Sequence, residues 1–137
     1  MNDHEDIRRT LAAFCQFLDG RRFEEWAALF TEDGIFNAGV GRAAVLAEMQ
    51  RGTLATNPSL DRLHLSANSI IDVEGDEARV VSDVIFFERR DQGPWSIGGV
   101  GKYVDRLVRA EGAWRFAERR WENLATPEAS LGTTAQV

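Results

Sequence analysis

Three residues in this sequence have side chains suited to moving protons, Asp19, His64 and Asp83, and strand spacing allows the last two to share a wall. Asp19 closes an apolar helical stripe four residues past Cys15, and a carboxylate at a helix C-terminus faces the negative end of the macrodipole. Both placements disfavour the charged form and favour a cationic or protonatable partner. Arg21 and Arg22 follow at once, so a turn or a local ion pair also accounts for it. His64, the one histidine on a predicted strand, alternates in RLHLSAN with Arg62, Ser66 and Asn68, while Leu63, Leu65, Ala67 and Ile71 take the other side. A face of that kind is either solvated or the wall of a polar cavity. Asp83 stands mid-strand in VSDVIFF with Val81, Ile85 and Phe87, where a lone carboxylate is costly to bury unless paired or protonated. A two-residue turn at Gly75-Asp76 pairs Glu74 with Glu77, sets His64 opposite Phe87 and Asn68 opposite Asp83, and predicts one wall carrying both groups. A loop one residue earlier keeps that parity. A three-residue loop separates them.

Other constellations fail more plainly. Gly98-Gly99-Val100-Gly101-Lys102 lacks the first glycine and the final hydroxyl of a phosphate loop and reads as a strand whose glycines permit close packing or a bend. Cys15 sits on the apolar stripe beside Phe14 and Leu18 and reads as a core thiol. Asp33 belongs to a predicted turn, and Asp105, flanked by Arg106 and near Arg109, reads as structural.

The elements that must position these groups follow from periodicity. Ile7, Leu11, Phe14, Cys15 and Leu18 make one stripe of a helix over 3–18, capped by Asn2 or Asp3 and ended by Gly20 in a left-handed cap. FEEWAALF predicts a second helix over 23–30, ended by a turn at Thr31-Glu32-Asp33-Gly34; a short strand over 34–40 and a helix over 42–51 follow. After a loop over 52–60 the period becomes two, giving long strands over 62–72, 77–89, 96–109 and 113–123 separated by glycine turns. Helices first and a strand meander second make an α+β domain over 1–125, with a frayed tail over 126–137.

Composition narrows the partners. At 137 residues the chain fits one domain, and a net charge of -6 with scattered basic residues argues against nucleic acid or an anionic membrane surface. Two histidines and one cysteine argue against a histidine-built metal site and exclude an internal disulfide. No apolar run approaches a membrane span and the N-terminus is polar, so the expected location is cytoplasmic.

FLDGRRFEEWAALFTEDGIF, RLHLSAN and GKYVDRLVRAEGAWRFAERR resemble the SnoaL-like members of the nuclear transport factor 2 superfamily, over about Ile7 to Asn123. The resemblance implies a cone-shaped, curved antiparallel sheet with N-terminal helices over its concave face and a pocket between them. Scytalone dehydratase, the bile-acid 7α-dehydratase and hexachlorocyclohexane dehydrochlorinase use a carboxylate at the end of helix one with a strand histidine. By motif position Asp19 and His64 match that dyad, Asp83 matches a further carboxylate, and Arg119 lies near an accompanying arginine. Phe14 and Leu18 stand where those relatives carry a tyrosine or lysine, and the only tyrosine, Tyr103, lies on a later strand. Asn37-Ala38-Gly39 offers no counterpart to the ketosteroid isomerase base. The expected function is therefore cofactor-independent dehydration, elimination or isomerisation of a small hydrophobic, cyclic molecule. His64 would be the base and Asp19 its orienting partner, with Asp83 and Arg119 assisting. Phe14, Trp26, Phe87, Tyr103 and Trp121 are expected to bind substrate, and no cofactor is implied. The alternative is a non-catalytic binding or assembly module like the small subunit of a ring-hydroxylating complex. The family also implies a homodimer or homotrimer.

Overall fold

The computed structural model describes residues 2–125, so the tail predicted over 126–137 lies outside the described residues. Helix α1 (Asp3–Asp19) is capped by Asn2, whose side chain accepts the backbone N–H groups of His4 and Glu5, and it buries Ile7, Leu11, Phe14, Cys15 and Leu18. Gly20 has φ −82, and the left-handed residue is Arg21, one position later than the sequence suggests. Helix α2 (Phe23–Ala27) is shorter than predicted, because β1 already starts at Phe30 and runs to Phe36. The stretch read as a turn, Thr31 to Gly34, is instead a register irregularity inside β1, which lies parallel to β6. Strand β2 (Gly39–Val40) folds back on β1; α3 (Arg42–Arg51) and the short α4 (Thr53–Thr56) follow.

Four long strands, β3 (Leu60–Glu74), β4 (Glu77–Arg90), β5 (Ser96–Ala110) and β6 (Ala113–Ala125), form a meander in a sheet of order β2-β1-β6-β5-β4-β3. The sheet is mostly antiparallel, curved and unclosed, and α1 packs across β3 and β6 on its concave side. The core is there: Phe14, Leu18, Trp26, Phe30, Tyr103, Leu107 and Phe116 are all fully buried or nearly so. The opposite face leaves Leu63, Leu65, Val81, Ile85 and Ile97 exposed. No helix among the described residues is long and apolar enough to cross a membrane.

Two strand irregularities decide which side chains reach the concave face. In β3, Ala67 pairs with Asp83 and Ile70 with Val81, so Asn68 and Ser69 together face Ser82. This bulge places Asn68 at φ +54, a conformation asparagine tolerates better than most residues. In β5, the glycines make room for rings: a Cβ at Gly98 would lie 2.5 Å from the Phe86 ring, and one at Gly101 2.6 Å from the Trp121 indole. Gly101→Ala is accordingly expected to lower stability by about 1–3 kcal/mol, read as a shifted denaturant midpoint with unchanged slope.

Candidate active site

The β3 bulge sets the site by reversing parity. The turn pairs Glu74 with Glu77 as its two-residue loop requires, but past Asn68 His64 stands opposite Phe86 rather than Phe87. Arg62, His64 and Ser66 therefore turn toward the concave face, and Leu63, Leu65 and Ala67 turn outward. The polar side of this strand is the inner one. The same slip overturns the common wall expected for His64 and Asp83. Asp83 is half-exposed on the outer face, where Lys102 Nζ reaches it at 2.6 Å and Asn68 Nδ2 at 3.0 Å. The Lys102 hydrogen bond, then that of Asn68, holds its carboxyl below the usual range. Phe87, partnered by Leu63 and Ile97, shares that outer face and does not line the interior.

Asp19 meets His64 because its neighbours are engaged elsewhere. Arg21 donates to the carbonyls of Leu54, Asn57 and Leu60, tying down the approach to β3, and Arg22 pairs with Glu25. Asp19 Oδ1 lies 2.5 Å from His64 Nδ1, and Asp19 Oδ2 accepts the His64 backbone N–H at 2.9 Å. A carboxylate only accepts, so Nδ1 carries a proton, and in the neutral ring Nε2 keeps its lone pair on the side away from Asp19. The imidazole is fully buried, 5.3 Å from the Phe86 ring, and Nε2 has no hydrogen-bond partner among the described residues.

A second buried pair lies deeper. Arg119 Nε and Nη2 clasp both oxygens of Asp105 at 2.8 and 2.9 Å, and neither side chain is exposed. The guanidinium carbon lies 3.7 Å from the Tyr103 ring centroid and 4.3 Å from that of Phe14. Burial pushes the Asp105 carboxyl up, against the charge and hydrogen bonds of Arg119. Arg106 and Arg109, the neighbours that made Asp105 look structural in sequence, point outward to Glu77 and Asp3. Ring contacts run continuously from His64 through Phe86, Trp121 and Tyr103 to Phe14 and Trp26. Along this path Tyr103 Oη, Arg119 Nη1, Trp121 Nε1 and Trp26 Nε1 are buried without partners among the described residues. Orphaned polar atoms are rare in native interiors, and with His64 Nε2 five lie along this path.

A recess of about 270 Å³ between the β1–β2 end and α3–α4 adjoins these rings through Phe36, which touches Phe14 and Trp26. A groove of about 390 Å³ runs between α1 and β3 with His64 and Cys15 in its wall. A larger one, about 570 Å³, lies toward the N-terminal half of α1 and includes none of these groups. Burial pushes the Cys15 thiol up to about 11, with Arg119 pulling it down and Asp19 pushing it up, so it is a poor nucleophile. Among the described residues no three His, Cys, Asp or Glu side chains are grouped to hold a metal ion.

Tyr103 offers a clean check on this interior. Burial first, then the nearby Cys15, Asp105 and Asp19, holds its phenol well above the ordinary range despite Arg119. A phenol raised on folding favours the native state below its unfolded pKa of about 10, and the contribution is lost as pH climbs past that value. It is the only tyrosine. The tyrosinate absorbance near 295 nm is therefore expected to appear only with unfolding; titration in the native state at the ordinary phenol pKa would place Tyr103 in solvent.

A family model described as a SnoaL-like domain matches residues 1–120. Among solved structures, a single-residue variant of Rv3472 from Mycobacterium tuberculosis, described as of unknown function, is similar at 30% identity and TM-score 0.76, covering 95% of this chain and 80% of that one. A Novosphingobium aromaticivorans protein provisionally named a scytalone dehydratase is 28% identical at TM-score 0.79, with 98% and 88% covered. A second protein from that organism, described as NTF2-like with a cystatin-like fold, is 24% identical at TM-score 0.81, with 97% and 90% covered. No curated protein matches.

Proposed function

The chain belongs to the SnoaL-like domain family, and within it we propose that this protein is a cofactor-independent acid–base enzyme. It would be a dehydratase, eliminating lyase or isomerase acting on a small hydrophobic, cyclic organic molecule. The observation that carries this reading is the Asp19–His64 pair, doubly hydrogen-bonded, with the imidazole fully buried and its Nε2 unpartnered among the described residues beside the Phe86 ring. An imidazole fixed in one tautomer by a carboxylate, with its other nitrogen free, is the arrangement a general base needs near neutral pH. The name of the Novosphingobium neighbour points to the same class.

In the dehydration form, Nε2 takes a proton from the carbon next to a carbonyl, and the electron pair moves onto the carbonyl oxygen. As the carbonyl re-forms, a hydroxyl on the β-carbon leaves, and the proton on His64 returns to it as water. Isomerisation follows the first half and delivers the proton to another carbon. The Tyr103 hydroxyl, reaching the interior from β5, supplies the donor that Phe14 and Leu18 do not.

Cyclic β-hydroxy ketones offered in deuterated water test the reading by proton NMR. The expected result is deuterium entry at the α-carbon and water loss, both dependent on His64. Binding without either change would identify a non-catalytic module instead.

A further inference from the structure

We infer that Ser66 decides between elimination and isomerisation: its hydroxyl holds the leaving hydroxyl of a neutral β-hydroxy carbonyl substrate in the groove between α1 and β3. This rests on the acid–base reading above and chooses among the reactions that reading allows. Ser66 Oγ is buried without a hydrogen-bond partner among the described residues, and it lies off the ring path that carries the other orphaned atoms. Ser66 stands two residues along β3 from His64. Their partners on β4, Val84 and Phe86, are both buried, so the two side chains share the inner face. Side chains at that spacing leave the strand about 6.6 Å apart. A serine hydroxyl ends close to the backbone and an imidazole reaches farther, so the space between them suits the short Cα–Cβ–O unit that an eliminating base must span.

The groove narrows the ligand class. Its volume of about 390 Å³ is within the range of small-molecule sites. His64 and Ser66 are in its β3 wall, and Leu11 and Cys15, both buried, are in its α1 wall. Arg8, the one Lys, Arg, Asp or Glu among its lining residues, is exposed and paired with Glu5. Nothing there balances an anion, whereas a hydroxyl, donor and acceptor at once, matches another hydroxyl. In the step, Nε2 takes the α-proton and the C–H electron pair moves to the carbonyl oxygen. The bond from the β-carbon to its oxygen then breaks as the carbonyl re-forms and the new C=C bond closes, and the departing oxygen takes the proton from Nε2 and leaves as water. Ser66 O–H donates to that oxygen as its charge develops and keeps its own proton. Without this donor the enolate recaptures a proton at carbon, and abstraction ends in exchange.

The test follows one cyclic β-hydroxy ketone in deuterated water and compares, by proton NMR, deuterium at the α-carbon of the remaining substrate with enone formed. S66A is expected to raise the ratio of exchange to elimination about tenfold, the worth of one hydrogen bond. S66T, which keeps the hydroxyl, is expected to bring the ratio back toward the parent value. A ratio taken within one sample does not depend on how much of the variant is folded. Because an orphaned buried hydroxyl costs stability, the thermal midpoint of S66A is expected to stay level or rise. A serine with only a structural role would show the reverse, a lowered midpoint and an unchanged ratio. An unchanged ratio in S66A, with exchange still dependent on His64, would overturn the inference and leave the acid–base reading standing. Neither exchange nor elimination in the parent protein would overturn that reading, and this inference with it.

Discussion

His64→Gln is expected to lower kcat/KM for the eliminating substrate by about 10³-fold, within the range that a positioned general base supplies. The imidazole has no exposed surface and packs beside Phe86, so glutamine of similar reach fills the space while removing the basic nitrogen. The thermal midpoint should move little, which separates loss of chemistry from loss of fold. Asp19→Asn sharpens the point. Asp19 accepts two N–H groups, one from the His64 backbone and one from Nδ1. The backbone N–H cannot change, so an asparagine must give it the carbonyl oxygen and turn its NH₂ toward Nδ1. That forces the ring proton to Nε2, the atom that must act as base. A fall of about 10²–10⁴ in turnover with near-normal stability is expected, as in hydrolase triads where the orienting carboxylate becomes an amide. Unchanged turnover in either variant would remove the dyad from the mechanism.

The second large effect concerns stability. Asp105→Asn leaves the Arg119 guanidinium buried without a countercharge, and breaking such a pair costs about 3–5 kcal/mol. The expected fall in melting temperature is on the order of 10 °C for a domain of this size. Replacing both partners, Asp105→Leu with Arg119→Met, should recover much of it, since a well-packed apolar pair avoids the desolvation penalty. A double-mutant cycle read by denaturant unfolding checks both statements. If Asp105→Asn is as stable as the parent, the pair is not buried as described.

Most of the scaffold was legible in the residues. The α1 stripe, the Gly75-Asp76 turn and the four-strand meander follow from period and turn chemistry, because those are local. The Asp19–His64 contact came from motif resemblance, since nothing local brings together residues 45 apart in sequence. What could not be read were the bulges. One extra residue at Asn68-Ser69 moved Asp83 and Phe87 to the outer face, and Asn68 gave no sign beyond its tolerance of positive φ. Another shift near Ala117 places Arg119 opposite Asp105, where an unbroken register from the Glu111-Gly112 turn would put Glu118. Asp105 was therefore missed as the partner of Arg119. The strand order that lays Trp121 over Gly101 is likewise a tertiary outcome.

In the proposed mechanism Asp19 holds His64 with Nδ1 protonated and Nε2 free to accept a proton. Long-range ¹H–¹⁵N NMR of the imidazoles measures this directly, and with only His4 and His64 present the spectrum is simple to assign. In the neutral ring the Nδ1–H form is expected for His64, switching to Nε2–H in Asp19→Asn. An Nε2–H form in the parent protein, or a His64 signal averaging between tautomers like the exposed His4, would contradict it.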